Sequence, residues 1–254
     1  MLSSRFLQSG DQSCRVRLPP QRRIYHALFT AICCTLLTTF ASAAPFKTSL
    51  SLNDQAVLAQ QQGQLKRARL LFERAAAAGE ALAAYNLAIM RLQGEGGTKQ
   101  RQQGWQMLEA LAATELGQPT QLAQFALGRL YENGRYGRQS SLQALEYYRQ
   151  AARQGHVEAQ VSVALLYFSG APARGEIPGI PEDLRLAAYW FEQAAQQGDV
   201  AAQYILASMY EHGHGVTGNL TAAYRWYHAA ALQGDVAAIA KLQRLAVSER
   251  TASH

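Results

Sequence analysis

Past residue 34 this chain contains no cysteine; Cys14, Cys33 and Cys34 all lie near its start. The rest of the sequence therefore has no disulfide, no thiolate metal ligand and no cysteine nucleophile. That composition suits an oxidising compartment, where an unpaired thiol is a liability. Long apolar runs are scarce as well. The clearest, Ala27–Phe40, is shorter than the about 20 residues a helix needs to cross a hydrocarbon core of about 30 Å. Catalytic signatures are missing: there is no Gly-x-Ser-x-Gly, no His-Glu-x-x-His and no glycine loop shaped to cradle a phosphate. With no nucleophile beside an orienting base, the chain reads as a non-enzyme that needs no cofactor.

What the start of the chain does have is the layout of an export signal. Arg15, Arg17, Arg22 and Arg23 precede the apolar run, and Ala41-Ser42-Ala43-Ala44-Pro45 puts small residues where a signal peptidase needs them. Residues 1–43 are expected to be a signal peptide, cut after Ala43 or Ala44, which makes the mature protein periplasmic or secreted with no membrane-spanning segment. Sec export is the default route, although Arg22-Arg23-Ile24-Tyr25 faintly resembles a twin-arginine signal. Cleavage also changes the charge. Five of the 24 basic residues and one of the 18 acidic ones lie in 1–43, which leaves 19 and 17 and lowers the net charge from +6 to +2. A chain so nearly neutral makes no case for nucleic acid or an anionic membrane as its partner.

Beyond residue 50 the sequence repeats itself. Ala202–Gly213 overlies Ala159–Gly170 with matches in kind at offsets 0, 4, 5, 7, 8 and 11. The same frame fits Ala123, Leu127, Gly128, Leu130, Tyr131 and Gly134, and more loosely Ala83, Leu87, Ala88, Met90, Arg91 and Gly94. A second pattern follows each copy: Ala187, Trp190, Phe191, Ala194, Ala195, Gly198 matches Ala223, Trp226, Tyr227, Ala230, Ala231, Gly234 and Ala144, Tyr147, Tyr148, Ala151, Ala152, Gly155. An early copy is Ala68, Leu71, Phe72, Ala75, Ala76, Gly79. Apolar residues at 0, 3, 4, 7 and 8 form a stripe on an α-helix, so each unit is two amphipathic helices, A then B.

The leading alanines Ala83, Ala123, Ala159, Ala202 and Ala238 are 40, 36, 43 and 36 residues apart. A period of that size with two helices per unit predicts an all-α fold, an α-solenoid of about five units wound into a right-handed superhelix. The units fall at about 52–80, 81–118, 119–156, 157–199 and 200–235, followed by a capping helix over 236–249 and a disordered tail over 250–254. Gly155, Gly198 and Gly234 stand where B helices end, and Asp199 and Asp235 follow as N-caps for the next A helix. In the terminal cap, Ala238, Leu242 and Leu245 are expected to cover the last unit while Lys241, Arg244 and Glu249 face water.

Written out, Ala-x3-Leu-Gly/Ala-x2-Tyr-x2-Gly-x-Gly followed by Ala-x2-Trp-Tyr-x2-Ala-Ala-x2-Gly-Asp resembles the Sel-one-like repeat (SLR) family, relatives of the tetratricopeptide repeat. The likeness runs from about residue 52 to 249 and is strongest from Ala123 to Asp235. It departs in unit two, where Met107 and Leu108 replace the aromatic pair, and over 52–79, which is more tetratricopeptide-like. The resemblance implies a protein-binding scaffold or adaptor, in bacteria often in the envelope, with a protein or peptide partner. It also implies a rival, because some cysteine-rich members bind or weakly hydrolyse β-lactams. Those members carry a disulfide in every unit, which this chain cannot form.

Four features compete for a functional role. Glu211-His212-Gly213-His214-Gly215-Val216 would fit a metal site with His228 as a third ligand, or the turn between helices A and B, with Gly213 and Gly215 as its two glycines, the counterparts of Gly134 and Gly137. The aromatic pairs 147/148, 190/191 and 226/227 read as core packing, since they recur at helical spacing. The stretch from Ser169 to Pro181 is the longest departure from the period and is either a specificity loop or drift at the surface. Lastly, if A helices line the inner face, Gln124, Gln160 and Gln203, one past each leading alanine, form a polar partner-binding strip with Tyr204 beside the last. The alternatives for the glutamines are merely solvated helix positions or hydrogen bonding between units. The paired alanines carry a direct test of the packing scheme: Ala194→Leu should lower stability by about 1–3 kcal/mol in thermal or urea unfolding, because it overpacks a close helix contact.

Overall fold

Three copies of one hexapeptide, Ala-Ala-x-Gln-Gly followed by Asp or His, set the joints of this fold: Ala151–His156, Ala194–Asp199 and Ala230–Asp235. In the second copy the Gly198 amide donates to the Ala195 carbonyl at 3.0 Å and the Asp199 amide to the Ala194 carbonyl at 3.1 Å. This is a Schellman closure, and it needs the left-handed backbone that Gly198 supplies at φ 94°. Asp199 Oδ1 then accepts from the Ala202 amide at 2.7 Å and starts the next helix. The same exchange of bonds recurs at Gly155 and Gly234, so one short segment ends a helix, turns the chain and begins another.

The structure, a computed structural model, describes residues 50–114, 117–134, 139–173 and 178–252. The export signal expected over 1–43 and the turn residue Gly137 lie outside that set. The helices are α1 Leu52–Gln61, α2 Leu65–Ala77, α3 Ala81–Gln93, α4 Arg101–Ala112, α5 Gln118–Glu132, α6 Ser141–Arg153, α7 Val157–Ser169, α8 Leu184–Gln196, α9 Val200–His212, α10 Leu220–Leu232 and α11 Val236–Ala252. Odd-numbered helices are the A helices. Each helix packs chiefly on those before and after it in sequence, and α3 also meets α5 directly. This is the all-α solenoid that the repeat predicts: contacts stay local and the core runs as a band along the row.

Small residues let the helices approach and aromatics fill the space that remains. Ala144, Ala151, Ala187, Ala194, Ala223 and Ala230 are fully buried, as are the rings of Tyr148, Phe191 and Tyr227, one turn before the alanine pair. The first aromatic of each pair is less enclosed. Trp190 is buried and Trp226 partly so, both against the same core. Gly128 occupies the position where units four and five have Ala164 and Ala207, and a Cβ there would collide with the Tyr148 ring.

The Ser169–Pro181 departure is anchored at its base. Ala171 and Ile180 exchange two backbone hydrogen bonds of 2.8 Å in an isolated antiparallel bridge, and Ile180 is buried in the core. No strand forms elsewhere among the described residues. The terminal helix α11 covers α10 through Ala238, Leu242 and Leu245 as expected. Lys241, expected in water, instead reaches back to Glu211 with its Nζ 2.8 Å from both carboxylate oxygens. A carboxylate left open by the previous unit outcompetes solvent for that ammonium.

One joint differs from its two siblings. At the start of α7 the cap is His156, whose Nδ1 accepts from the Ala159 amide at 3.3 Å while the ring stacks on Phe125, centroids 4.7 Å apart. Burial lowers the imidazole pKa from 6.5, opposed by the Glu158 carboxylate 3.3 Å away. Only the neutral ring accepts the amide proton. The folded pKa lies below the unfolded one, so this cap contributes fully above about pH 6.5 and is lost as pH falls through the folded value. The melting temperature should therefore drop as pH is lowered from 6.5 towards 5, and His156→Asp, which copies the cap of the other joints, should flatten that drop. An unchanged pH profile in the variant would exclude the effect.

Candidate partner-binding face

Every inner A helix is wedged between two B helices, that of its own unit and that of the unit before. At about 100° per residue, the leading alanine and its +4, +5, +7 and +8 partners face those neighbours, while positions +2, +6 and +10 fall at roughly 200–280°, turned away from most of that contact. The +2 rings of Phe125 and Tyr204 meet Tyr148 and Tyr227 of their own B helices at its edge. In the structure that stripe is Tyr85, Ile89 and Gln93 on α3, Phe125, Arg129 and Asn133 on α5, Val161, Leu165 and Ser169 on α7, and Tyr204, Ser208 and His212 on α9. None of the twelve is buried, and Leu165 is 46 % exposed. The stripe holds one formal charge, Arg129, and no carboxylate.

The glutamines expected on this strip lie elsewhere. Gln124, Gln160 and Gln203 are only 6 %, 4 % and 5 % exposed. Position +1 points at the preceding B helix, where their amides donate to the carbonyls of Ala112, Ala152 and Ala195 at 3.1 Å. Their own oxygens accept from Gln154, Gln197 and Gln233 at 2.7, 2.8 and 2.9 Å. The reason is the last carbonyls of each B helix: the next unit shuts them off from water, and a glutamine one residue past the leading alanine takes water's place, beside the turn amides of Gly155 and Gly198 on Ala152 and Ala195. A polar strip open to a partner is therefore corrected to a ladder between units. The signal was in the sequence, since glutamine recurs at two fixed offsets in three successive units, a regularity that solvent-facing positions rarely keep. Tyr204 does sit on the open stripe, half-buried, with its ring edge-on to Tyr227 at 5.3 Å.

Glu211-His212-Gly213-His214-Gly215 is the turn after α9. Gly213 and Gly215 both hold left-handed φ, 74° and 70°, as Gly94 and Gly96 do after α3 at 81° and 67°. Gly215 rests on the start of α8, and a Cβ there would run into the Leu184 carbonyl. Glu211 has no free oxygen for a metal. Burial disfavours its ionised form, but hydrogen bonds from Lys241 and the Tyr227 hydroxyl, together with the Lys241 charge, outweigh that and hold its pKa below the ordinary value. His212 Nδ1 lies 2.8 Å from the Ser208 carbonyl and its ring stacks on His214, whereas His228 stacks on Tyr224. Among the described residues no three potential ligands come together to hold a metal ion, so His212, His214 and His228 are not assembled into a site.

The Tyr227–Glu211 bond has a counterpart in Tyr148–Glu132, also 2.7 Å, and burial together with that acceptor pushes both phenols up. Unit four replaces both partners at once, with Phe191 against Phe168. These pairs are internal to the units and leave the A-helix stripe open. The stripe deepens between α3 and α5 into a cavity of about 220 Å³ lined by Tyr85, Ile89, Leu92, Phe125, Arg129 and Leu130, with Gln93 and Asn133 at its ends.

A row of two-helix units that stack only on their neighbours and leave one helix stripe open defines an α-solenoid repeat protein. The Sel1 repeat model matches residues 59–80, 81–113, 121–156, 157–199 and 200–235, more than half the chain. The chain belongs to the Sel1 repeat family. It is similar to the crystal structure of a Sel1 repeat protein from Oxalobacter formigenes, 28 % identical with a TM-score of 0.59, over 71 % of this chain and 49 % of that one. A protective antigen of uropathogenic Escherichia coli with an SLR fold is 24 % identical, TM-score 0.43, over 76 % and 48 %. An immunity protein from Pseudomonas aeruginosa is 19 % identical, TM-score 0.42, over 88 % and 70 %. The chain spans about half the length of the first two of these proteins. No curated protein matches the sequence.

The glutamine ladder makes a stability prediction. Gln203→Ala removes one of the two donors to the Ala195 carbonyl, which keeps the Gly198 amide, and takes the acceptor from Gln233; it should cost about 0.5–1.5 kcal/mol in urea unfolding, whereas Gln93→Ala, at an exposed position of the stripe, should stay within about 0.5 kcal/mol of the parent.

Proposed function

We propose that this protein is an exported, non-catalytic scaffold of the bacterial cell envelope whose A-helix face holds a protein or peptide partner. The observation that carries the reading is the stripe itself. Aromatic and aliphatic side chains at Tyr85, Phe125, Val161, Leu165 and Tyr204 stay partly open along the four A helices α3, α5, α7 and α9, while positions +4 and +5 of the same helices, from Leu87 and Ala88 to Leu206 and Ala207, are buried. Apolar surface kept open at a fixed register along a solenoid is what extended recognition of another chain requires. Export rests on the basic, apolar and small-residue layout of residues 1–45 and on a cysteine-free remainder.

A photo-crosslinking amino acid placed at Leu165 on α7, and in a second variant at Tyr189 on the B helix α8, tests this in the native envelope. Discrete adducts from Leu165 and none from Tyr189 are expected, from protein recovered in the periplasmic or secreted fraction with residues 1–43 removed. Adducts from both positions alike would sink the assignment of the face. A cytoplasmic protein retaining its first 43 residues would sink the export reading.

A further inference from the structure

Three of the more enclosed cations among the described residues have carboxylate partners. Arg69 and Arg91 share Glu73, at 3.6 and 3.4 Å, and Lys241 has Glu211. Arg129, exposed on the A-helix face, differs from them. Among the described residues its guanidinium has no ion pair, and it lies over the Phe125 ring, 6.0 Å from the centroid, at the rim of the cavity between α3 and α5. A cation resting against an aromatic face is oriented, which favours a planar, charged acceptor brought from outside.

The second donor is Tyr85, whose hydroxyl likewise has no acceptor among the described residues. Burial pushes its phenol up and the Arg129 charge opposes that, so the proton stays in place at physiological pH and the two groups feel each other across the cavity. Beneath them the floor is apolar, formed by Ile89, Leu92 and Leu130. The volume of about 220 Å³ has room for one large side chain and not for a folded surface. No carboxylate lines the cavity or the rest of the stripe. Charge and shape together describe what fits: an apolar group for the floor, and an anion beside it for the rim.

Resting on the A-helix face as the partner-binding surface, we infer that the groove between α3 and α5 takes an extended peptide segment in which a large apolar side chain stands next to an acidic one. The apolar group enters the Ile89–Leu92–Leu130 floor and the carboxylate meets Arg129 and the Tyr85 hydroxyl. Binding is then selective for charge as well as for size, and it weakens with added salt because the rim is open to solvent.

Fluorescent octapeptides of glycine and serine with a central Phe-Glu, Phe-Gln, Ala-Glu or Phe-Lys pair test this on the purified protein. Phe-Glu should bind about tenfold more tightly than Phe-Gln or Ala-Glu. Arg129→Gln should erase the preference for Glu over Gln, and Arg129→Glu should turn it towards Phe-Lys. Both substitutions replace an exposed side chain that has no ion pair among the described residues, so thermal melts should stay close to the parent and separate lost binding from lost fold. Equal affinity for Phe-Glu and Phe-Gln, a preference that survives in Arg129→Gln, or no binding of any peptide at millimolar concentration would each overturn the proposal. If Leu165 adducts still form in the envelope when the peptides fail, the groove assignment alone falls and the scaffold reading stands. If those adducts are missing as well, both fall.

Discussion

Alanine packed against an aromatic ring is the contact on which this solenoid depends. A single pair of helices of 10 to 15 residues cannot cover its own apolar sides, so each unit acquires a core only by lying against the next. The buried alanines at positions 0 and 7 of every later B helix set the distance between helix axes, and Tyr148, Phe191 and Tyr227 occupy the gap that small residues leave. The ladder of glutamines follows from that closeness. Once a B helix end is pressed under the next unit, its last carbonyls lose water and must find another donor. Gln124, Gln160 and Gln203 supply it, and the glutamines inside the joint hexapeptide hold them in place.

The open stripe arises by exclusion from the same geometry. A helix gripped by B helices on two sides has one side left, and in four successive units that side carries positions +2, +6 and +10 of the A pattern. What the stripe holds is freer to vary because packing constrains it less than the buried positions. That freedom is visible in its composition, which runs through aromatic, aliphatic, amide, hydroxyl and guanidinium groups, while the buried positions repeat almost unchanged. Arg129 on its aromatic rest is the most individual of these groups, and it gives the face a local charge preference that the fold alone would not.

Turn chemistry explains the two-histidine stretch without a metal. Gly213 and Gly215 are there for backbone shape, the second because the turn rests on the carbonyl end of the previous unit's loop. His214 fills the position between them and His212 the one before, at the end of α9. Glu211, which makes the stretch look like a ligand set, is instead bound to a tyrosine of its own unit and to a lysine of the capping helix. The joint at His156 shows the same economy: a residue usual in active sites works as a helix cap, with the added consequence that it responds to pH.

By itself the sequence determined the helices, their pairing, their joints and the core. Each of those is written in local spacing: stripes at 0, 3, 4, 7 and 8, glycine at the helix ends and aspartate after it. Only the tertiary structure decided which of the remaining polar residues meet water. Helical periodicity places Gln203 on a helix flank but cannot say that a neighbouring helix end is there to need its amide, and it places Lys241 beyond the last repeat without showing that Glu211 is left open to it. One residue is about 100° of helix, and that rotation separates the buried ladder from the open stripe. Its direction is fixed by the neighbouring units, which lie about one repeat away along the chain.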